Sequence, residues 1–158
     1  MRRKFTKLIE DVMKINNNIF VITADLGYGM WDSVRLNFKD RFLNVGSAEM
    51  AMMGTAIGLA LDGKIPIVYS ITPFALYRPF EMIRNYINHE KIKVHIVGGG
   101  RNTDYGYLGF SHWATEDQQV MKIFNNIESN WPETDIDLQK CVENIIANLT
   151  PTYTNLKK

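Results

Sequence analysis

Four short apolar runs rich in β-branched residues, at residues 19–23, 42–45, 65–70 and 94–97, are each separated from the next by a stretch with helical spacing. Runs that stay apolar without alternating suit strands buried on both faces, which is the signature of a parallel sheet. Residues 5–15 put Phe5, Leu8, Ile9, Val12 and Met13 at helical spacing, and Asn16-Asn17-Asn18 ends that pattern. Further helices are expected over 30–38, 48–61, 74–86, 116–123 and 135–149, with a short extended segment near Ile127 and a closing strand over 152–156. Strands alternating with helices predict an α/β fold, a three-layer, open, mostly parallel sheet with helices on both faces and right-handed crossovers. With 158 residues, 46% of them hydrophobic, the chain suits a single domain over 1–158 with a substantial core.

Charge and cysteine usage exclude several function classes. A formal net charge of +1 gives no global field for nucleic acid or anionic lipid. The single cysteine, Cys141, rules out an internal disulfide framework or a multi-cysteine metal site, and it falls in an apolar periodic pattern that reads as packing. No apolar run reaches membrane length, and the charged amphipathic start lacks the apolar middle of a signal peptide, so a reducing cytoplasm is the expectation.

In a sheet of this kind ligands bind outside the carboxyl ends of the strands. The segments that follow the apolar runs, residues 24–29, 46–49, 71–74 and 98–112, hold most of the residues that could do chemistry. In Asn44-Val45-Gly46-Ser47-Ala48-Glu49-Met50 an apolar run ends in glycine and delivers Glu49 into the start of a helix rich in small residues. A carboxylate buried there would need a partner to share or accept its proton, whereas a simple first-turn acid would be favoured by the helix dipole; the pattern alone leaves both open. Gly98-Gly99-Gly100 lacks the lysine of a P-loop and the spacing of a dinucleotide fingerprint, which makes it a weak phosphate signal. Arg78, Glu81 and Arg84 have the spacing of mutually paired charges on an exposed helix face. Met50, Met53, Ala56 and Ile57 form an apolar stripe suited to core packing, with Gly54 and Gly58 nearby.

Taken in order, Ala24-Asp25-Leu26, Asn44 to Met50, Gly63-Lys64-Ile65-Pro66, and Phe74 with Arg78-Pro79-Phe80-Glu81-Met82-Ile83-Arg84 resemble the pyrimidine-binding domain of transketolases. Val94-His95-Ile96-Val97-Gly98, then Gly109-Phe110-Ser111-His112 and Glu116-Asp117, is similar to that family's segment carrying a glycine, a Thr-His pair and an acidic residue. Pro151-Thr152-Tyr153-Thr154-Asn155-Leu156 resembles its closing strand, so the likeness runs through the whole chain.

The resemblance implies thiamine diphosphate as cofactor. The glutamate at the Glu49 position would hydrogen-bond a ring nitrogen of the aminopyrimidine and promote deprotonation of the thiazolium carbon, which requires a carboxyl group held at about 2.6–3.2 Å in a dry pocket. Phe74 matches the aromatic residue that stacks on the pyrimidine, with core packing as the plain alternative. His112 matches a histidine that faces the substrate, and Asp25 an acidic residue near the cofactor that could equally be a strand-end cap. Glu49 and His112 are thus the implied catalytic residues, and Glu49, Phe74 and Asp25 the implied cofactor-binding ones.

Departures from the family pattern fall on the substrate side. Gly100 stands where a histidine is expected, Leu108 where an acid is expected before Gly109, and Gly29 where a serine is expected. The family's diphosphate-binding segment, with its Mg2+ or Ca2+ ligands, has no counterpart, and Asp62-Gly63 occurs in an unrelated context. The expectation is therefore a split enzyme: a separate, larger chain supplies the diphosphate half, in a heterotetramer with two copies of each. Three activities fit: transfer of a two-carbon ketol unit from a small sugar or keto substrate, decarboxylation or acyloin formation on a 2-oxo acid, and a non-catalytic binding or regulatory relic.

Overall fold

The computed structural model describes all residues 1–158. Six strands form one sheet in the order β2-β1-β3-β4-β6-β5, where β1 is Ile19–Thr23, β2 Phe42–Asn44, β3 Ile65–Ile71, β4 His95–Gly99, β5 Glu128–Asn130 and β6 Thr152–Leu156. Every neighbouring pair is parallel, so the sheet is wholly rather than mostly parallel. Val21 aligns with Phe42 on one side and with Ile67 on the other, which fixes the register of the central strands.

The helices are α1 (Arg2–Met13), α2 (Asp32–Asn37), α3 (Glu49–Leu61), α4 (Thr72–Tyr77), α5 (Phe80–Met82, continuing as a π-helix over Ile83–His89), α6 (Asp117–Met121) and α7 (Asp135–Ala147). Strand β3 is buried at all its positions, and its side chains alternate between two cores. Val68 joins Met52, Met53, Ala56, Leu76 and Ile83 under α3, α4 and α5. Ile65, Ile67 and Tyr69 join Phe5, Ile9, Met13, Trp31 and Leu138 under α1, α2 and α7. Two apolar faces on each strand explain why the sequence runs are continuous. Each fully buried aliphatic side chain, such as Ile67 and Val68 of β3 or Val21 and Ile22 of β1, contributes roughly 1.5–3 kcal/mol. No helix is long and apolar enough to cross a membrane.

Helix α7 begins with a reciprocal cap. The Asp137 amide donates to Thr134 Oγ1 at 3.1 Å, and the Thr134 amide donates to Asp137 Oδ2 at 2.9 Å. Asn148 ends it at φ 49, the left-handed geometry that asparagine tolerates better than most residues. Cys141 is buried in this helix, as its periodicity suggests.

Two local readings need correction. The single helix expected over 74–86 is broken, because Pro79 has no N–H to continue α4 and the chain resumes as α5. The π-helical turn that follows has no sequence signature comparable to a cap or a proline. Gly98 and Gly99 belong to β4 and not to a loop: a Cβ on Gly98 would meet Thr72 Oγ1 at 2.5 Å, and one on Gly99 would meet the Tyr69 hydroxyl. Their glycines serve close packing against β3 and α4, and no phosphate cradle is formed there.

Candidate active site

Chain direction across the sheet reverses between β1 and β3, since β2 lies on one side of β1 and β3, β4 and β6 on the other. The crevice at such a reversal opens at the carboxyl ends of the strands. Residues 24–29, 45–48, 72–74 and 100–116 gather there.

Glu49 is the first residue of α3, reached through Gly46 at φ 75, a conformation that favours glycine. Its side chain is only 3% exposed, yet it has a charged partner: Arg78 Nη1 donates to Glu49 Oε1 at 2.6 Å. A buried carboxylate with a guanidinium donor is a stable arrangement, whereas the same group alone would be strongly disfavoured. Its spacing in the sequence predicts that Arg78 pairs along an exposed helix face with Glu81 and Arg84. Pro79 interrupts the helix directly after it, so that spacing does not apply and the side chain turns back toward α3. The Arg78 guanidinium carbon also lies 3.8 Å from the centroid of the Phe74 ring.

Phe74, half-buried in the first turn of α4, meets the His112 ring edge to face with centroids 5.0 Å apart. His112 sits in a short turn at Phe110–His112, with Nδ1 3.0 Å from Ser111 Oγ, and its ring lies 6.5 Å from that of Tyr105. Glu49, Phe74 and His112 are therefore linked through one guanidinium and one aromatic contact. Asp25 is not bonded to this group. It is exposed at φ 55, its amide donates to Asn44 Oδ1 at 2.9 Å, and its carboxylate accepts from the Tyr28 hydroxyl, a bond that holds the Tyr28 proton and raises its pKa. Asn44 Oδ1 also accepts from the Gly46 amide at 3.1 Å, so one side chain joins the loops after β1 and β2. Of the apolar stripe on α3, Met53, Ala56 and Ile57 are in the core, while Met50, one residue from Glu49, is 48% exposed.

The long segment after β4 is fastened at its base. Arg101, almost wholly buried, donates through Nη2 to the carbonyl oxygens of Pro132 at 3.0 Å and Asn155 at 2.6 Å, and through Nη1 to Glu133. Its backbone amide donates to Asp104 Oδ2 at 2.9 Å, and the Ala114 amide donates to the Asn102 carbonyl at 2.7 Å. Neither Arg101 nor Tyr105 was singled out by sequence reasoning. Gly100 was the available signal for Tyr105: at φ 92, a Cβ there would lie 2.3 Å from Tyr105 Cε2. The tyrosine ring fills the space that a side chain at position 100 would take.

Beside the start of α1, a cleft of about 290 Å³ is lined by Arg2, Leu26, Gly29, Tyr69 and Tyr105 among others. None of Glu49, Phe74, His112 and Asp25 lines it. Tyr105 connects the two regions, because it borders the cleft and faces His112.

The family model for the transketolase pyrimidine-binding domain matches residues 1–158. The chain belongs to this family. It is 31% identical over its whole length to half of a putative transketolase C-terminal section from Methanocaldococcus jannaschii. It is also 31% identical, over 75% of its length and 38% of the relative's, to one of the subunits of the apulose-4-phosphate transketolase of Actinobacillus succinogenes. Among solved structures, a split-gene transketolase described as an inactive beta4 tetramer superposes with a TM-score of 0.85 at 31% identity, over 99% of this chain and 50% of that one. This transketolase pyrimidine-binding domain thus spans half or less of the length of these relatives.

Proposed function

We propose that this chain is the pyrimidine-binding subunit of a thiamine diphosphate-dependent, transketolase-like enzyme that transfers a two-carbon ketol unit. The observation that carries the reading is Glu49, a buried carboxylate at a helix start, held beside the Phe74 ring at the carboxyl edge of the sheet. The residues fit the cofactor's aminopyrimidine: the chain already seats a flat, nitrogen-rich cation against this carboxylate and this ring. When bound, thiamine diphosphate supplies an acidic carbon that attacks a carbonyl and an electron sink for the fragment it carries.

The chain's own groups have distinct tasks in this reading. Glu49 holds a proton at its carboxyl oxygen, facing the edge of the aminopyrimidine, where a glutamine would keep a contact and lose the exchange. Phe74 fixes the plane of the ring by stacking. His112 donates to a substrate hydroxyl or to a developing alkoxide, and Asp25, tied to Asn44 and Tyr28, borders the cofactor. The diphosphate and its Mg2+ or Ca2+ belong to a separate partner chain, with two copies of each in a heterotetramer. The descriptions of these relatives as a split-gene enzyme, as one subunit of a transketolase and as a C-terminal section support that division.

A second reading, decarboxylation or acyloin formation from a 2-oxo acid, is favoured by one feature. Tyr105 fills the volume beside Gly100, so the polar sugar-binding side chain expected there has no room. The deciding experiment combines the chain with a diphosphate-binding partner, thiamine diphosphate and Mg2+, then offers ketose donors with an aldose acceptor, or 2-oxo acids. Ketol transfer without carbon dioxide supports the first reading, and carbon dioxide release from a 2-oxo acid supports the second. Inertness toward both, in an assembled complex that binds the cofactor, would leave the non-catalytic relic.

A further inference from the structure

The Arg78 guanidinium is planar, cationic and edged with nitrogen donors, and it touches both side chains assigned above to the aminopyrimidine. It donates to Glu49 Oε1 at 2.6 Å, and its carbon sits 3.8 Å from the centroid of Phe74. A pyrimidine that took the same carboxylate oxygen while stacking on the same face of this ring would need the volume the guanidinium holds, and would have to displace it.

Arg78 is also placed to leave. Its side chain is 48% exposed, it ends α4, and its guanidinium is carried on a flexible stem whose head is easily rehydrated. Glu49, at 3% exposure, has no such freedom, and it is costly to leave unpaired.

We propose that Arg78 is a built-in stand-in for the aminopyrimidine, and the inference rests on the pyrimidine-binding reading above. In the cofactor-free chain the guanidinium occupies the ring's seat, keeps the Glu49 carboxylate partnered and covers the Phe74 face. Cofactor loading is then an exchange in which the pyrimidine edge takes over Glu49 as Arg78 swings toward solvent. The apparent affinity for the ring is lowered by the fraction of chains whose seat is open.

The test titrates the full chain with 4-amino-5-hydroxymethyl-2-methylpyrimidine while following the Phe74 ring and the Arg78 Nε–Hε resonances by NMR. Saturable shifts at Phe74, accompanied by loss of the ring-current shift on the Arg78 resonance, are the expected result. Arg78→Ala should bind the same compound about tenfold more tightly or better, as expected when a seat that is mostly closed is opened. If Arg78→Ala is not folded, the resonances of the unaltered chain decide alone. Binding at Phe74 with the Arg78 resonance unmoved would overturn the stand-in and leave the pyrimidine-binding reading in place. No perturbation at Phe74 in either protein would overturn both.

Discussion

Arg78 Nη1 lies 2.6 Å from Glu49 Oε1, joining the end of α4 to the first turn of α3 across the carboxyl edge of the sheet. The two residues are far apart in sequence and come from helices that follow β2 and β3. Their bond is therefore a report on whether the crevice has formed.

Removing one partner should cost more than removing both. Arg78→Ala leaves a buried carboxylate without its donor, and urea denaturation should show a loss of about 1–3 kcal/mol. In Glu49→Gln with Arg78→Ala the penalty should shrink, giving a coupling energy of roughly 0.5–3 kcal/mol in the double-mutant cycle. Additive losses would mean that the pair does not interact in solution.

Glu49→Gln alone separates folding from chemistry. The fold should be retained, since glutamine has nearly the same shape and can still hydrogen-bond. Turnover of the reconstituted enzyme should fall by about 10²–10⁴-fold, the usual contribution of a positioned acid–base group. Steady-state rates with circular dichroism of the same sample check both halves.

Acid should weaken the fold through His95. Its ring is buried between Thr152 Oγ1 and Asn148 Oδ1, each at 3.0 Å, and burial pushes its pKa down from 6.5 to about 4. Because the folded value is below the unfolded one, the unfolded chain binds the extra proton first. The stability contributed by neutral His95 is full above pH 6.5, is lost as pH falls toward 4, and changes no further below that. The loss over that window should be about 3 kcal/mol. A His95→Gln variant should flatten this part of the urea-midpoint profile.

Gly100→Ala should destabilise the segment that carries His112. The added methyl group would meet Tyr105 at 2.3 Å, and φ 92 is unfavourable for any residue with a Cβ. The backbone term alone is about 1–3 kcal/mol. Adding Tyr105→Ala should recover the steric part and leave the backbone part, which hydrogen exchange of residues 101–112 can resolve.

Much of the fold is legible in the sequence because the strands are buried on both sides. β1 is continuous in apolar residues for that reason, and the closing strand has the bounds expected of it. The elements that were missed depend on a partner outside the local window. Arg78 has the look of a charged helix face until Pro79 breaks the helix and a residue on α3 takes the charge. Gly98 and Gly99 read as loop, because only the packed positions of Thr72 and Tyr69 explain the need for glycine within a strand. In the candidate site, Glu49 could be found from the glycine-terminated run before it. Tyr105 could not, since its place follows from the empty side of Gly100 and not from any spacing.

The clamp made by Arg101 divides the segment after β4 into a foot and a tip. The foot is nailed to the last strand and to the chain entering α7, and Tyr105 is packed against Gly100 and bonded by Arg2, while residues 106–112 lie beyond those contacts. Sequence drift in the tip can therefore remodel what the crevice admits without disturbing the sheet beneath it, which gives this scaffold a region where new substrate preferences could be tried at little risk to folding.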